Sequence, residues 1–346
     1  MPAVRTEISE IVTGLGMLGF ADLDRALSVR PSSVLNVTSA HYDRLESARA
    51  SGEHDALFDV AWRNGVEFAR ATEGLRGRPP WWLEWKGNHR PPRYEQIPAD
   101  LRVDHVYLVS CKYGSNILSN SSPANLFDHL LGDRHEASTD WFAEVAERAY
   151  QEFYEVCRKA VDGDFPADVR ALEQHHRMAL KRALPRSLEG DMKDSYRRLS
   201  LVVAEASAAR WTVNMGGKRG QEEMLWRLLR LQSAPYFVLG ESASGEALRY
   251  RVGTPWDFRT VFRFVSMTAW RDPDRSQPVV QWLARVRDAR TGDEHPIAGH
   301  VEVRWSHGRF AQVPEAKVYL DTPHDQVPGY FSLWHSEPGP GQLTLL

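Results

Sequence analysis

Two short runs of this chain set acids, lysines and a thiol at alternating positions: WWLEWKG over residues 81–87 and VDHVYLVSCKYG over 103–114. Both are rich in aromatic and β-branched residues and bounded by turn formers, so both are expected to be strands. Strand alternation puts Glu84 and Lys86 on one face of the first, and Ser110 and Lys112 on one face of the second, with Cys111 and Tyr113 opposite. A carboxylate beside a lysine suits phosphodiester hydrolysis: the acid holds a divalent ion that polarises the phosphate, and the ammonium neutralises charge growing in the transition state. Register decides which groups meet. If the first strand runs on to Arg90, Glu84 opposes Ser110 and Lys112 lies close by. If it stops at Gly87, Glu84 and Lys86 lie beside Asp104 and Val106, and the site is Glu84, Lys86 and Asp104. On a straight strand Asp104 and Lys112 stand about 26 Å apart, so the two arrangements exclude each other. The same residues also fit a plain edge hairpin, whose charges pair across strands for a few tenths of a kcal/mol.

The helical segment HDALFDVAWRNGVEFARATEGL precedes both runs, with Phe58, Trp62, Val66 and Ala69 recurring at helical spacing and Glu67 in its last turns. In this order of elements, about fifty residues of the chain resemble the PD-(D/E)XK nuclease superfamily. YLVSCKYG looks like its final motif strand, Lys112 like the motif lysine, Glu84 like the acid of the partner strand and Glu67 like the helix glutamate. The resemblance implies Mg²⁺ or Mn²⁺ held by acids, here Glu84 and Asp104, and metal-dependent cleavage of nucleic acid in antiviral defence or genome maintenance, with DNA favoured over RNA. The chain departs from the pattern at Ser110, where the family carries an acid. That departure favours the alternative, a non-catalytic nucleic-acid-binding or assembly subunit of a multi-protein defence complex. Without the resemblance, Glu67 reads as one rung of a salt-bridge ladder with Arg63 and Arg70, and Cys111 as buried packing rather than a nucleophile served by His89 or His105.

The elements that must position these groups follow from texture. The chain has 346 residues, 42% hydrophobic and 26% charged, with a net charge of -3, which suits a folded α+β protein of one or two domains and excludes wholesale disorder. Its two cysteines exclude cysteine-rich zinc modules. The N-terminal segment lacks a basic leader followed by an apolar run, and no stretch reaches the ~18 apolar residues of a membrane span, so a cytoplasmic chain without membrane contact is expected. Residues 1–122 read as an α/β region bearing the candidate hairpin, with a loop over NHRPPRYEQIPADLR; 123–232 as a helical block; and 233–346 as an antiparallel β region. Within these, VNMGGKRGQEE reads as a glycine-rich loop opening a helix, where backbone amides, Lys218 and Arg219 suit phosphate. Arg90 and Arg93 in KGNHRPPRY, and Arg304 and Arg309 in EVRWSHGRF, interleave with aromatics as nucleic-acid contacts do.

Overall fold

The computed structural model describes residues 4–87, 98–114, 117–132 and 139–333. Its strands are β1 Val34–Leu35, β2 Leu83–Trp85, β3 Leu101–Val103, β4 Tyr107–Tyr113, β5 Ile117–Ser121, β6 Tyr236–Glu241, β7 Ala247–Val252, β8 Phe262–Arg271, β9 Val279–Asp288, β10 Glu294–Arg304, β11 Glu315–Leu320 and β12 Tyr330–Ser332. Helices and strands alternate irregularly through two sheets, an α+β architecture. Among the described residues no helix is long and apolar enough to cross a membrane.

The chain divides into two compact units, each assembled from separated segments: residues 1–116, 231–258 and 324–346 in the first, 117–230 and 259–323 in the second. The three consecutive regions read from the sequence therefore interleave. In particular, the expected C-terminal β region is shared out, with β6, β7 and β12 belonging to the mixed sheet of the first unit and β8–β11 to the antiparallel sheet of the second.

The first unit's sheet runs β1-β2-β3-β4-β6-β7-β12. β2, β3 and β4 form an antiparallel meander, and β6 then lies parallel to β4. One face is covered by a helical run over residues 4–16 (α1), with a π turn at Ile8–Val12, and by a helix at Asp55–Arg70 (α2). Leu83, Trp85, Leu101, Val103, Val109, Phe237 and Leu239 supply the strand side of that core. On α2 the buried stripe is Phe58, Ala61, Asn64, Gly65 and Phe68, rotated from the stripe expected, because Trp62 and Val66 flank the contact and leave its centre to Gly65. Fully burying a phenylalanine such as Phe58 or Phe68 stabilises by roughly 1.5–3 kcal/mol.

In the second unit, β5-β11-β10-β9-β8 form an antiparallel sheet. Its helices include Glu147–Lys159 (α3), Gln174–Ala183 (α4), Gly190–Met215 (α5) and Lys218–Leu228 (α6), so the helical block expected over 123–232 is present. The small residues Ser200, Ala204, Ser207 and Ala208 of α5 are buried, and the Trp141 indole N–H donates to Ser207 Oγ at 2.9 Å.

Two local expectations change. The run 103–114 is not one strand: Asp104 (φ 48°) and His105 (φ 57°) turn the chain left-handed, and β4 folds back on β3 with Val103 opposite Tyr107. Asp and His tolerate that conformation better than most residues. The glycine-rich loop is also shorter than it read, since α5 continues to Met215 and only Gly216 and Gly217 separate it from α6.

Candidate functional site

The extra turn rewrites the pairing. β2 meets β3, so Glu84 faces Arg102, and neither register drawn from the sequence forms. Arg102 donates to Glu84 Oε2 from Nε at 2.7 Å and from Nη2 at 2.6 Å. Asp104 sits in the hairpin turn: its Oδ1 accepts the Trp81 and Trp82 backbone N–H groups at 2.7 and 3.1 Å, and Arg78 pairs with its Oδ2. The two acids expected to share an ion are thus each committed elsewhere. Among the described residues, no group of three or more His, Cys, Asp or Glu side chains can hold a metal ion.

The acid paired through the backbone with Lys86 is Asp100, in the segment NHRPPRYEQIPADLR that reads as a loop. The Lys86 N–H donates to the Asp100 carbonyl at 2.9 Å, which carries the β2–β3 pairing one step past β3; on the β4 side the Asp100 N–H donates at 2.8 Å to the carbonyl of Val109, the residue already paired with Leu101, so the register slips there. Alternation puts Lys86 and Ser110, the neighbours of the core residues Trp85 and Val109, on the face opposite the α1–α2 core, with Lys112 the next residue along β4 on that face, and Asp100 reaches Ser110 through its side chain. Lys86 is 7% exposed and Ser110 1%. Because β3 begins only at Leu101, the Cys111 N–H has no strand partner on that side; Asp100 Oδ2 accepts it at 2.7 Å and also takes the Ser110 hydroxyl at 3.4 Å. These bonds orient the carboxylate. The signal in the sequence was PADLRV followed by DHV, an acid at a strand start and then a left-handed turn pair.

Glu67 lies on the other side of this sheet. It pairs at 3.6 Å with Arg249, whose strand partner Leu239 points into the α1–α2 core. Around it runs a polar network: Tyr113 Oη lies 2.6 Å from Thr13 Oγ1, Asn64 Nδ2 donates to Tyr113 Oη and to the Gly240 carbonyl, and Arg249 Nε donates to Asn64 Oδ1. Asp100 therefore touches Lys86 through the backbone and Ser110 and Cys111 through its carboxylate, with Lys112 the residue after Cys111, while Glu67 and Asp104 lie elsewhere.

Cys111 packs with the core. Burial pushes its thiol well above the ordinary range, and the negative charges of Asp100 and Glu10 push in the same direction. Burial also pushes Cys157 up, to about 12. A thiol is nucleophilic only as thiolate, so neither of the chain's two cysteines is expected to react with a thiol-specific disulfide reagent at pH 8 in the native state. Both should react once the chain is unfolded in guanidinium, and rapid native labelling would show that Cys111 is available for chemistry.

Asp104 is likewise structural. Burial tends to raise its pKa, but the hydrogen bonds from Arg78 and the Trp82 and Trp81 amides outweigh that and hold it below the usual carboxylate range. A carboxylate with a depressed folded pKa stabilises above its unfolded pKa of about 3.9, and that stability is lost as pH falls through the folded value. Asp104→Ala is accordingly expected to cost about 2 kcal/mol at pH 7 in urea unfolding. The difference from the parent should shrink below about pH 4; a gap independent of pH would contradict the charge-assisted turn.

Of the basic groups singled out in the sequence, Arg90 and Arg93 lie outside the described residues. Lys218 and Arg219 are exposed in the first turn of α6, with Arg219 bonded to Glu223 at 3.1 Å. Arg304 and Arg309 come together on one cavity of the second unit. Comparison with family models, with curated proteins and with solved structures returned no match to this chain.

Proposed function

We propose that the chain is a metal-dependent nucleic-acid phosphodiesterase whose working groups are Asp100, Lys86 and Lys112. The observation that carries this reading is Asp100, whose carbonyl accepts the Lys86 N–H and whose carboxylate is bonded to Ser110 and Cys111, with Lys112 next along β4. The meander β2-β3-β4 followed by parallel β6 also supports it, since it brings the Asp100 carboxylate to the hydroxyl of Ser110, the first position of the Ser110-Cys111-Lys112 triplet. Mg²⁺ commonly rests on one or two carboxylates and completes its shell with water and substrate phosphate, and Asp100 is the residue that would hold it. Bound there, the ion would supply Lewis-acid polarisation and a more acidic water. The protein's own part is positional and electrostatic: the Cys111 amide and Ser110 hydroxyl fix the Asp100 carboxylate, and the two ammonium groups favour the phosphate where its charge grows. DNA is the favoured substrate and genome defence or maintenance the favoured setting.

One observation favours a second reading, that of a non-catalytic nucleic-acid-binding or assembly subunit: the group of Lys86, Asp100, Ser110 and Lys112 contains a single carboxylate, and Ser110 offers a hydroxyl where a second would stand. A panel of labelled single- and double-stranded DNA and RNA, incubated with Mg²⁺, Mn²⁺ or EDTA, separates the two. Cleavage that EDTA abolishes is the expected result. Salt-sensitive retention of a probe without cleavage would transfer the assignment to the second reading.

A further inference from the structure

The second unit contains a concave site with a charge pattern unlike that of the whole chain. A cavity of about 740 Å³ is lined by Lys181, Arg186, Arg304 and Arg309, and no carboxylate is among its lining residues, although the chain carries a net charge of -3. The volume lies within the ~300–1,000 Å³ usual for small-ligand sites. Arg309 is fixed in place: Nη1 donates to the Pro185 carbonyl at 2.9 Å, Nη2 to the Arg186 carbonyl at 3.2 Å, and its guanidinium lies 5.9 Å from the centre of the Tyr196 ring. Arg304 is paired with Glu302 at 3.0 Å. Among the described residues, Lys181, Arg186 and Arg309 form no ion pair, so three basic residues line the cavity without a protein counter-charge. Gly308 admits the Lys181 stem beside it: a Cβ there would lie 3.1 Å from Lys181 Cγ, and its φ of 104° is one that side-chain-bearing residues rarely adopt.

We infer that this cavity binds a phosphate group, carried either by a free nucleotide or by a nucleic-acid strand. Concave walls focus the field of like charges. Several cations around one cavity suit a multiply charged anion with several oxygens better than a single carboxylate, and a pre-fixed arginine loses less freedom on binding. The site is built wholly from the second unit's residues, so it does not depend on the Asp100 site being catalytic.

The test is calorimetric titration of the full chain, in EDTA and about 50 mM salt, with pyrophosphate, thymidine 5′-monophosphate and a ten-residue oligothymidylate. The parent and the Asp100→Asn variant should bind alike. A Lys181→Glu/Arg186→Glu variant, altered at two exposed positions, should bind at least about tenfold more weakly with an unchanged thermal midpoint, and Lys181→Gln/Arg186→Gln serves if the reversal disturbs folding. Binding of pyrophosphate or the mononucleotide that weakens in the variant supports the inference and identifies a small ligand. Binding of the oligonucleotide alone, weakened to the same extent, supports it with a strand as the source. No binding of any probe, or binding by the Lys181 and Arg186 double variants equal to the parent's, overturns it.

Discussion

Asp100→Asn is expected to abolish the response to Mg²⁺, and Lys112→Ala to slow cleavage by about 10²–10³-fold, the usual cost of removing one group that stabilises transition-state charge. The two effects differ because the two side chains do different work. Asparagine keeps an oxygen for the Cys111 N–H and the Ser110 hydroxyl but loses the negative charge a hard dication requires. Thermal midpoints should therefore stay within a few degrees of the parent, making the loss one of chemistry rather than of folding. Glu84→Ala is the control, because that carboxylate is already matched by Arg102 at 2.6 Å and its removal should leave most of the rate. Full activity in Asp100→Asn together with inactivity in Glu84→Ala would move the centre back to the acid first favoured by the sequence. Ser110→Asp tests the proposed metal site directly: a second carboxylate beside Asp100 should strengthen metal dependence if Asp100 holds the ion.

Gly65→Val should be strongly damaging to the first unit. Gly65 and Gly16 meet where α2 crosses α1, and a Cβ at Gly65 would overlap the Thr13 carbonyl oxygen and stand 2.9 Å from Gly16 Cα. These are backbone atoms of a packed helix, so relief requires moving the whole of α1. Overpacking a core commonly costs about 1–3 kcal/mol, and more where nothing flexible can yield; a loss above about 3 kcal/mol is expected in urea unfolding, a large part of the 5–15 kcal/mol typical of folded domains. Displacing α1 would also pull Thr13 from Tyr113, the residue that follows Lys112 on β4. A change below about 1 kcal/mol would show that the two helices do not cross tightly at this point.

Several features were legible without the fold. Alternation alone put Ser110 and Lys112 on one face of a strand and Cys111 on the other, because a pleated backbone has a period of two whatever surrounds it. The spacing of Phe58 and its neighbours marked α2, and the aromatic, β-branched texture after residue 235 marked strands, since both patterns record burial on one side of a local element. The clustering of arginines around Trp305 was likewise visible as composition. What the sequence left open was every choice of partner. Asp100 came to stand beside Ser110 because two left-handed residues, Asp104 and His105, reversed the chain inside the run expected to be one strand. Glu84 was lost to Arg102 by the same reversal, and β6 came to lie against β4 across an intervening unit of more than a hundred residues. Pairing between distant strands is set by the free energy of the whole assembled sheet and core, which no window of local sequence contains.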